Sequence, residues 1–544
     1  MKKLFSIMLA LVTTVTLAAC NTDQKNDDQY QDGASLFGDR SVEEWKEYYN
    51  DLVDIDEDGN GVADWQEKQM TIVYASNFYD DEDQYNTLFR NALKWAEQYP
   101  NITVTRDQRF KKSAGGDDFT QLDLLVAASQ EGTMPDVFYS PLIAEVYDHD
   151  LTLDLTPYLR TDNEARYIPQ NTIDYLTSFD KQAIVGVSYM SVSRMPAVNV
   201  GLLRSLNIPQ PAYDWTYEDY EALRDRIGAV TNSGQCVFPG VIDFSEVGPH
   251  YFDSIPNGWK GFNSETQRFD FSSATNYGEW FEQIAEEAGE GWHFYDLDET
   301  VRASLCGTTN WPWGDNYEAI GNIWFYSLSS EIKELVGKRE LDIEIYPLPQ
   351  APEGGSTAMQ AYYDTFSLSY ALEDDPVKAQ AAFELVKWLS YSEEGLTSRW
   401  AMIDEDIETY GIDVEDYVAK GGKKEEFPIV HPSTNLMDYI MGWPSTTNPK
   451  VLENHPLVKG FAADSPFAIY NFDAFKNEEF QKQLSGPIAY PRNIPATSNA
   501  YGHLNTWDIK DQIKNEGYYF SDIASEWDDL MNGYLDEYLR NYTK

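Results

Sequence analysis

The sequence predicts a two-lobed α/β protein, and three observations carry that expectation. At 544 residues the chain is too long for one hydrophobic core. Between residues 70 and 139 it alternates strand-like and helix-like stretches, the rhythm of a parallel sheet with helical connections. Residues 184–200 (IVGVSYMSVSRMPAVNV) are rich in β-branched and small residues over a length exceeding one ordinary strand. Pro196 sits in the middle of that segment, and a proline cannot donate to a ladder, so pairing is expected to break near it. A strand that pairs in one sheet and then in a second is a crossover between two lobes.

The elements follow in order. Lys2 and Lys3 precede an apolar run over residues 4–17, closed by Leu17, Ala18, Ala19 and Cys20. This reads as a lipoprotein signal peptide, 1–20, with a lipobox whose Cys20 is lipidated and tethers the protein outside the cell. Residues 21–40 are polar and form a flexible tether. Ser41 and Glu44 make a capping box, and Trp45, Tyr48, Tyr49, Leu52 and Val53 follow at helical spacing. Residues 56–67 (DEDGNGVADWQE) match the calcium loop of an EF-hand. Asp56, Asp58 and Asn60 would supply side-chain oxygens, Val62 a backbone carbonyl, Asp64 a contact through water and Glu67 a bidentate carboxylate, with Gly61 at the sharp turn. No second hand accompanies it, so residues 41–69 are expected to form a structural Ca2+ site and not a sensor; the alternative is an acidic surface turn.

Strands are expected at 70–76, 102–105 and 135–139, with helices after Asn86 (or Asp83) and over 119–130. Beyond the crossover, 236–238 and 241–242 read as strand, 251–271 as an aromatic loop and 280–288 as helix. Residues 300–306 read as a strand running into Trp311, Pro312, Trp313, Gly314 and Asp315. Residues 343–348 and 362–367 return the chain to the first lobe, followed by helical segments over 376–395 and 521–539. The expected boundaries are 70–190 and 349–445 for lobe 1, and 191–348 and 446–544 for lobe 2.

Lys+Arg total 40 against 91 Asp+Glu, a formal charge of −51. That surface argues against nucleic acid, against docking on an anionic membrane face, and against a polyanionic ligand without its own basic cluster. There is no HExxH, GxSxG or Walker loop, and the histidines never fall at metal-ligand spacing. With so many carboxylates, acid pairs at glycosidase spacing carry no information. Aromatic residues make up 14% of the chain, a high share for a sequence this polar. With Cys20 lipidated, Cys236 and Cys306 are the remaining cysteines; in an oxidising compartment they are expected to pair, the alternative being two buried thiols.

Several motifs point the same way. Asn199 opens a short helix after the crossover and Trp215 starts the next; Gly132, Pro135, Asp136 and Val137 form a Gly-x-x-Pro-Asp-hydrophobic turn; a Trp-x-Trp turn stands at 311–313; and 376–395 reads PVKAQAAFELVKWLSYSEEG. Together these resemble the family 1 extracytoplasmic solute-binding proteins of carbohydrate ABC importers, of which the maltodextrin-binding group is the best-known example. The resemblance implies a periplasmic-binding-protein-like (type II) fold with an interlobe cleft. It also implies a neutral oligosaccharide ligand, ABC permease membrane subunits as partners, a monomer, and no enzymatic activity. The alternatives are an oligopeptide-binding lipoprotein and a secreted carbohydrate-active enzyme. Candidate ligand-binding residues are Trp311, Trp313, Asp315, Tyr189, Arg194, Tyr363, Asp364, Asn77 and Trp259.

Overall fold

The computed structural model describes residues 34–75, 86–110, 118–140, 142–489, 494 and 506–541. The strands are β1 Met70–Ala75, β2 Ile102–Arg106, β3 Val137–Tyr139, β4 Val187–Asn199, β5 Phe238–Gly240, β6 Phe262–Asn263, β7 Arg268–Phe269, β8 Glu318–Trp324, β9 Ile343–Ile345, β10 Gln360–Leu368 and β11 Ile488–Ala489. Apart from the β6–β7 hairpin they join in one hydrogen-bonded path, β2-β1-β3-β10-β4-β8-β5, with β11 on β10 and β9 on β4.

β4 is the shared element. Its first half, through Ser193, pairs antiparallel with β10, and from Arg194 onward it pairs with β8. The exchange of partners therefore falls between Ser193 and Arg194. Pro196 does not interrupt the strand: it keeps register opposite Asn322, and its carbonyl accepts the Tyr346 N–H at 3.0 Å. A proline lacks only a donor, so a position where the ladder needs an acceptor tolerates it.

Lobe 1 builds a parallel β2-β1-β3 sheet with β10 added antiparallel. Asn86 caps the helix Thr87–Ala96, its Oδ1 accepting Phe89 N–H at 2.9 Å. The helix Pro376–Ser390 starts with proline behind Asp375, whose side chain accepts the Lys378 N–H, and buries Ala379, Ala382, Phe383, Val386 and Leu389. Each such large side chain contributes roughly 1.5–3 kcal/mol by burial. Residues 34–69 dock here too. Trp65 stacks on Trp95 at 6.4 Å, and the Asn101 amide donates to the carbonyls of Trp65 and Lys68. The Ser41–Glu44 capping box forms as expected, although the helix it opens stops at Tyr48, one turn before Leu52 and Val53.

Lobe 2 packs the helices Tyr217–Asn232, Thr275–Glu290 and Phe520–Asn541 around Tyr217, Tyr220, Phe244, Tyr251, Phe252, Tyr277 and Trp280, whose rings stack and tilt against one another. Much of the aromatic content is thus core. Cys236 and Cys306 are joined, their Cα atoms 5.3 Å apart. Two expectations give way. Residues 300–306 belong to a helix, Glu299–Cys306, whose N-cap Asp298 accepts the Thr300 N–H and which buries no residue; a cap at the start outweighs the β-branched Thr300 and Val301. The helix Pro449–Asn454 lies against lobe 1, not lobe 2, because Val451 clusters with Leu396 and Trp400. No helix among the described residues is long and apolar enough to cross a membrane.

Candidate functional site

β8 runs parallel to β5 and antiparallel to β4, so its last residue, Trp324, stands opposite Arg194 where β4 changes partners. Side chains alternate along a strand, which puts Met190, Val192 and Arg194 of β4 on one face. Tyr362 lies opposite Val192 and Asp364 opposite Met190 on β10. The carboxyl ends of β3, β5 and β8 deliver further groups to this face: Tyr139 from β3, Asp243 and Glu246 beyond β5, and Trp324 and Tyr326 from β8.

These residues touch. The Trp324 ring lies 5.2 Å from Tyr362 and 6.2 Å from Tyr326, nearly parallel to the latter, and the Arg194 guanidinium stands 5.5 Å above it. Trp259 meets Tyr362 edge-on at 5.7 Å. Arg194 pairs with Asp243, and the Tyr139 hydroxyl donates to Asp364 Oδ1 at 3.1 Å. Lys260 lies 3.3 Å from Glu246, which also accepts from the Gln360 amide. Burial pushes the Glu246 carboxyl up from its usual range, against the pull of Lys260. The floor is a cavity of about 270 Å³ lined by Met190, Val192, Tyr326, Tyr362, Asp364, Met437 and Met441. Tyr326 is 60% exposed, so its ring face is open to solvent. The loop that carries Trp259 and Lys260 is tightly wound, with positive φ at Ser254, Asn257, Gly258, Lys260 and Gly261.

The arrangement offers aromatic faces beside carboxylates, a guanidinium and a phenol. It suits a ligand with apolar faces and a hydroxyl rim. The charges nearly balance, since Arg194 and Lys260 are set against Asp243, Glu246 and Asp364.

Among the expected ligand residues, Arg194, Asp364 and Trp259 come together here. Tyr189 and Tyr363 do not. Each is one residue out of phase and faces the other side of the crossover, where Tyr189 stacks on Phe366 at 4.5 Å and the Tyr363 hydroxyl accepts from Thr172. Trp311, Trp313 and Asp315 precede β8 in the chain, at the end of the strand opposite to Trp324. There Asp315 pairs with Arg339 at 2.7 Å, Arg339 covers the Trp311 ring at 4.9 Å, and Trp313, 6% exposed, packs on Gly321. Asn77 and Cys20 lie outside the described residues. Trp324 and Tyr326 come from the segment EAIGNIWFY, which forms β8 and the turn after it, while the strand expected at 300–306 is a helix.

In the 56–67 loop, Asp56 accepts the N–H groups of Gly59, Asn60 and Gly61, and Asn60 donates to Asp58 at 3.3 Å and to Glu67 at 2.8 Å. The backbone donors, Gly61 first, hold the Asp56 carboxyl below its usual range. Gly61 has φ +85°, as the sharp turn requires. Asp56, Asp58, Asn60 and Glu67 are therefore linked around the loop through the Asn60 amide and the backbone N–H groups. Asp64 instead pairs with Lys68 at 2.8 Å. No group of three or more His, Cys, Asp or Glu side chains is gathered to hold a metal among the described residues.

No protein-family model and no curated protein sequence matches the chain. Solved structures do. A sugar transporter from Rhizobium etli in an open conformation superposes with a TM-score of 0.55 at 11% identity, over 85% of this chain and 99% of that one. The cyclic alpha-maltosyl-1,6-maltose binding protein of Arthrobacter globiformis gives 0.54 at 12%, over 86% and 100%. An ABC substrate-binding protein from Listeria monocytogenes, in complex with cycloalternan, gives 0.51 at 15%, over 86% and 99%. At these identities the likeness establishes the fold, that of the two-lobed extracellular solute-binding proteins.

Proposed function

We propose that this protein is the extracytoplasmic substrate-binding component of an ABC importer and takes a neutral oligosaccharide into the cleft between its lobes. The observation that carries the reading is the ledge of Trp324, Tyr326 and Tyr362 beside Arg194, Asp243 and Asp364, at the point where β4 passes between lobes. Sugar C–H faces stack on such rings, while hydroxyls exchange hydrogen bonds with carboxylates and a guanidinium. Closure of one lobe on the other would bury both kinds of contact. The fold shared with binding proteins for cycloalternan and a cyclic maltosyl sugar supports the same ligand class. A thermal-shift screen against a glycan panel tests it. A true ligand at about 100 times its Kd adds roughly 2.7 kcal/mol of stability, and no neutral glycan should be hydrolysed.

The rest of the proposal concerns placement. Cys20 would carry the lipid anchor, the tether would run from it to the helix Ala34–Phe37, which docks on lobe 1, and the cleft would present its ligand to the permease subunits. The 56–67 loop, seated on lobe 1 and away from the ledge, is proposed as a structural Ca2+ site. EGTA should lower Tm in the wild type and leave Glu67→Gln unmoved, with ligand affinity the same in both.

A further inference from the structure

Arg399, in the helix Glu393–Tyr410, is fully buried and has no carboxylate partner among the described residues. The contrast with Arg224 is direct. Arg224 is just as buried, yet it meets Glu287 with both guanidinium nitrogens. Arg399 has only the Met441 thioether, 3.6 Å from Nη1, and the Ile440 carbonyl, 3.4 Å from Nη2; its Nε has no acceptor. Most of its N–H groups are thus unanswered in a place closed to bulk water. A buried charge without a counter-charge is strongly unfavourable.

Its neighbours supply no negative charge. His455 is buried, and its Nδ1 accepts the Leu457 N–H at 3.3 Å, which leaves the ring proton on Nε2. Burial, and then the Arg399 charge, hold that imidazole neutral, with its pKa lowered to about 3. Tyr189, the other polar neighbour, is a buried phenol. Met441 holds the remaining clue. Its φ of +67° and ψ of −76°, with Gly442 N–H bonded to the Ile440 carbonyl at 3.1 Å, form a tight γ-turn of a rare and strained kind. The Met441 side chain also lines the 270 Å³ cavity beneath the aromatic ledge. One flexible thioether therefore separates the guanidinium from the cleft floor.

We infer that Arg399 is the seat of a small monovalent anion of the chloride class, admitted from the cleft-floor cavity past Met441. The size and charge follow from the walls. A single guanidinium among thioether, imidazole and phenol groups matches one negative charge, and no second cation is at hand for a phosphate or sulfate. The anion would complete the hydrogen bonding of Arg399 and stabilise lobe 1 whether or not a sugar occupies the cleft, so this inference stands apart from the functional proposal.

Two measurements on the full chain test it. Crystals grown or soaked in sodium bromide should show an anomalous peak in hydrogen-bond contact with the Arg399 guanidinium. In solution, sodium chloride should raise Tm by about 2–4 °C in a saturating manner relative to sodium gluconate at equal ionic strength. Arg399→Met should abolish that difference. A bromide peak only elsewhere, or identical melting in chloride and gluconate, would overturn the assignment. Should Arg399→Met fail to fold, the wild-type crystal and melting data decide alone.

Discussion

At the scale of single residues, exposure separates the side chains that hold the fold from those that face a ligand. Tyr326 is 60% exposed and stacks on Trp324 from the solvent side. Tyr326→Ala should leave unfolding stability nearly unchanged and weaken oligosaccharide binding by one to two decades. The scale of about 1–3 kcal/mol per stacked ring is borrowed from nucleic-acid binders, at roughly 1.4 kcal/mol per tenfold. Trp311 is the control. Its ring lies under Arg339 and against Gly314 at the far end of β8, so Trp311→Ala should cost about 2 kcal/mol of stability, less than a fully buried indole, and leave affinity alone. His455 sets a pH dependence. Its folded pKa, about 3, lies below the ordinary value of 6.5, so the unfolded chain binds the extra proton between them. Stability from this residue is full above pH 6.5 and falls by about 1.4 kcal/mol per pH unit below it. Acid unfolding curves of wild type and His455→Gln should differ in slope between pH 6 and pH 4.5; parallel curves would contradict the buried neutral imidazole.

At the scale of elements, the sequence was most legible where a local signal and a burial pattern agreed. The Ser41–Glu44 box, the Asn86 cap, the alternating 70–75 strand and the proline-led helix at 376 all stand where their signals place them. Legibility ended where two readings fit one stretch. ETVRASLC carries β-branched residues but forms an exposed helix, and the strand of this region is β8, which Trp311 and Trp313 precede. On β4 and β10, Arg194 and Asp364 face the ledge, while Tyr363, one residue out of phase with Tyr362, faces the other side of the sheet. The Cys236–Cys306 bond ties that same exposed helix to the approach to β5 across 70 residues. Reducing it should lower stability by on the order of 4 kcal/mol in the chain-entropy model; an unchanged Tm with dithiothreitol would show that the bond contributes nothing.

At the scale of the whole molecule, β4 carries the connection between the lobes, and the aromatic ledge stands where it exchanges β10 for β8. The chain is strongly acidic, at −51, whereas the charges beside the ledge nearly cancel. Calorimetric titration of the full chain with a panel of linear and cyclic neutral oligosaccharides, repeated on Tyr326→Ala and Trp311→Ala, tests that placement most directly. Saturable binding without turnover, lost by one to two decades in Tyr326→Ala and kept in Trp311→Ala, is the predicted result. Absence of binding across the panel, or binding that survives Tyr326→Ala and fails in Trp311→Ala, would contradict it.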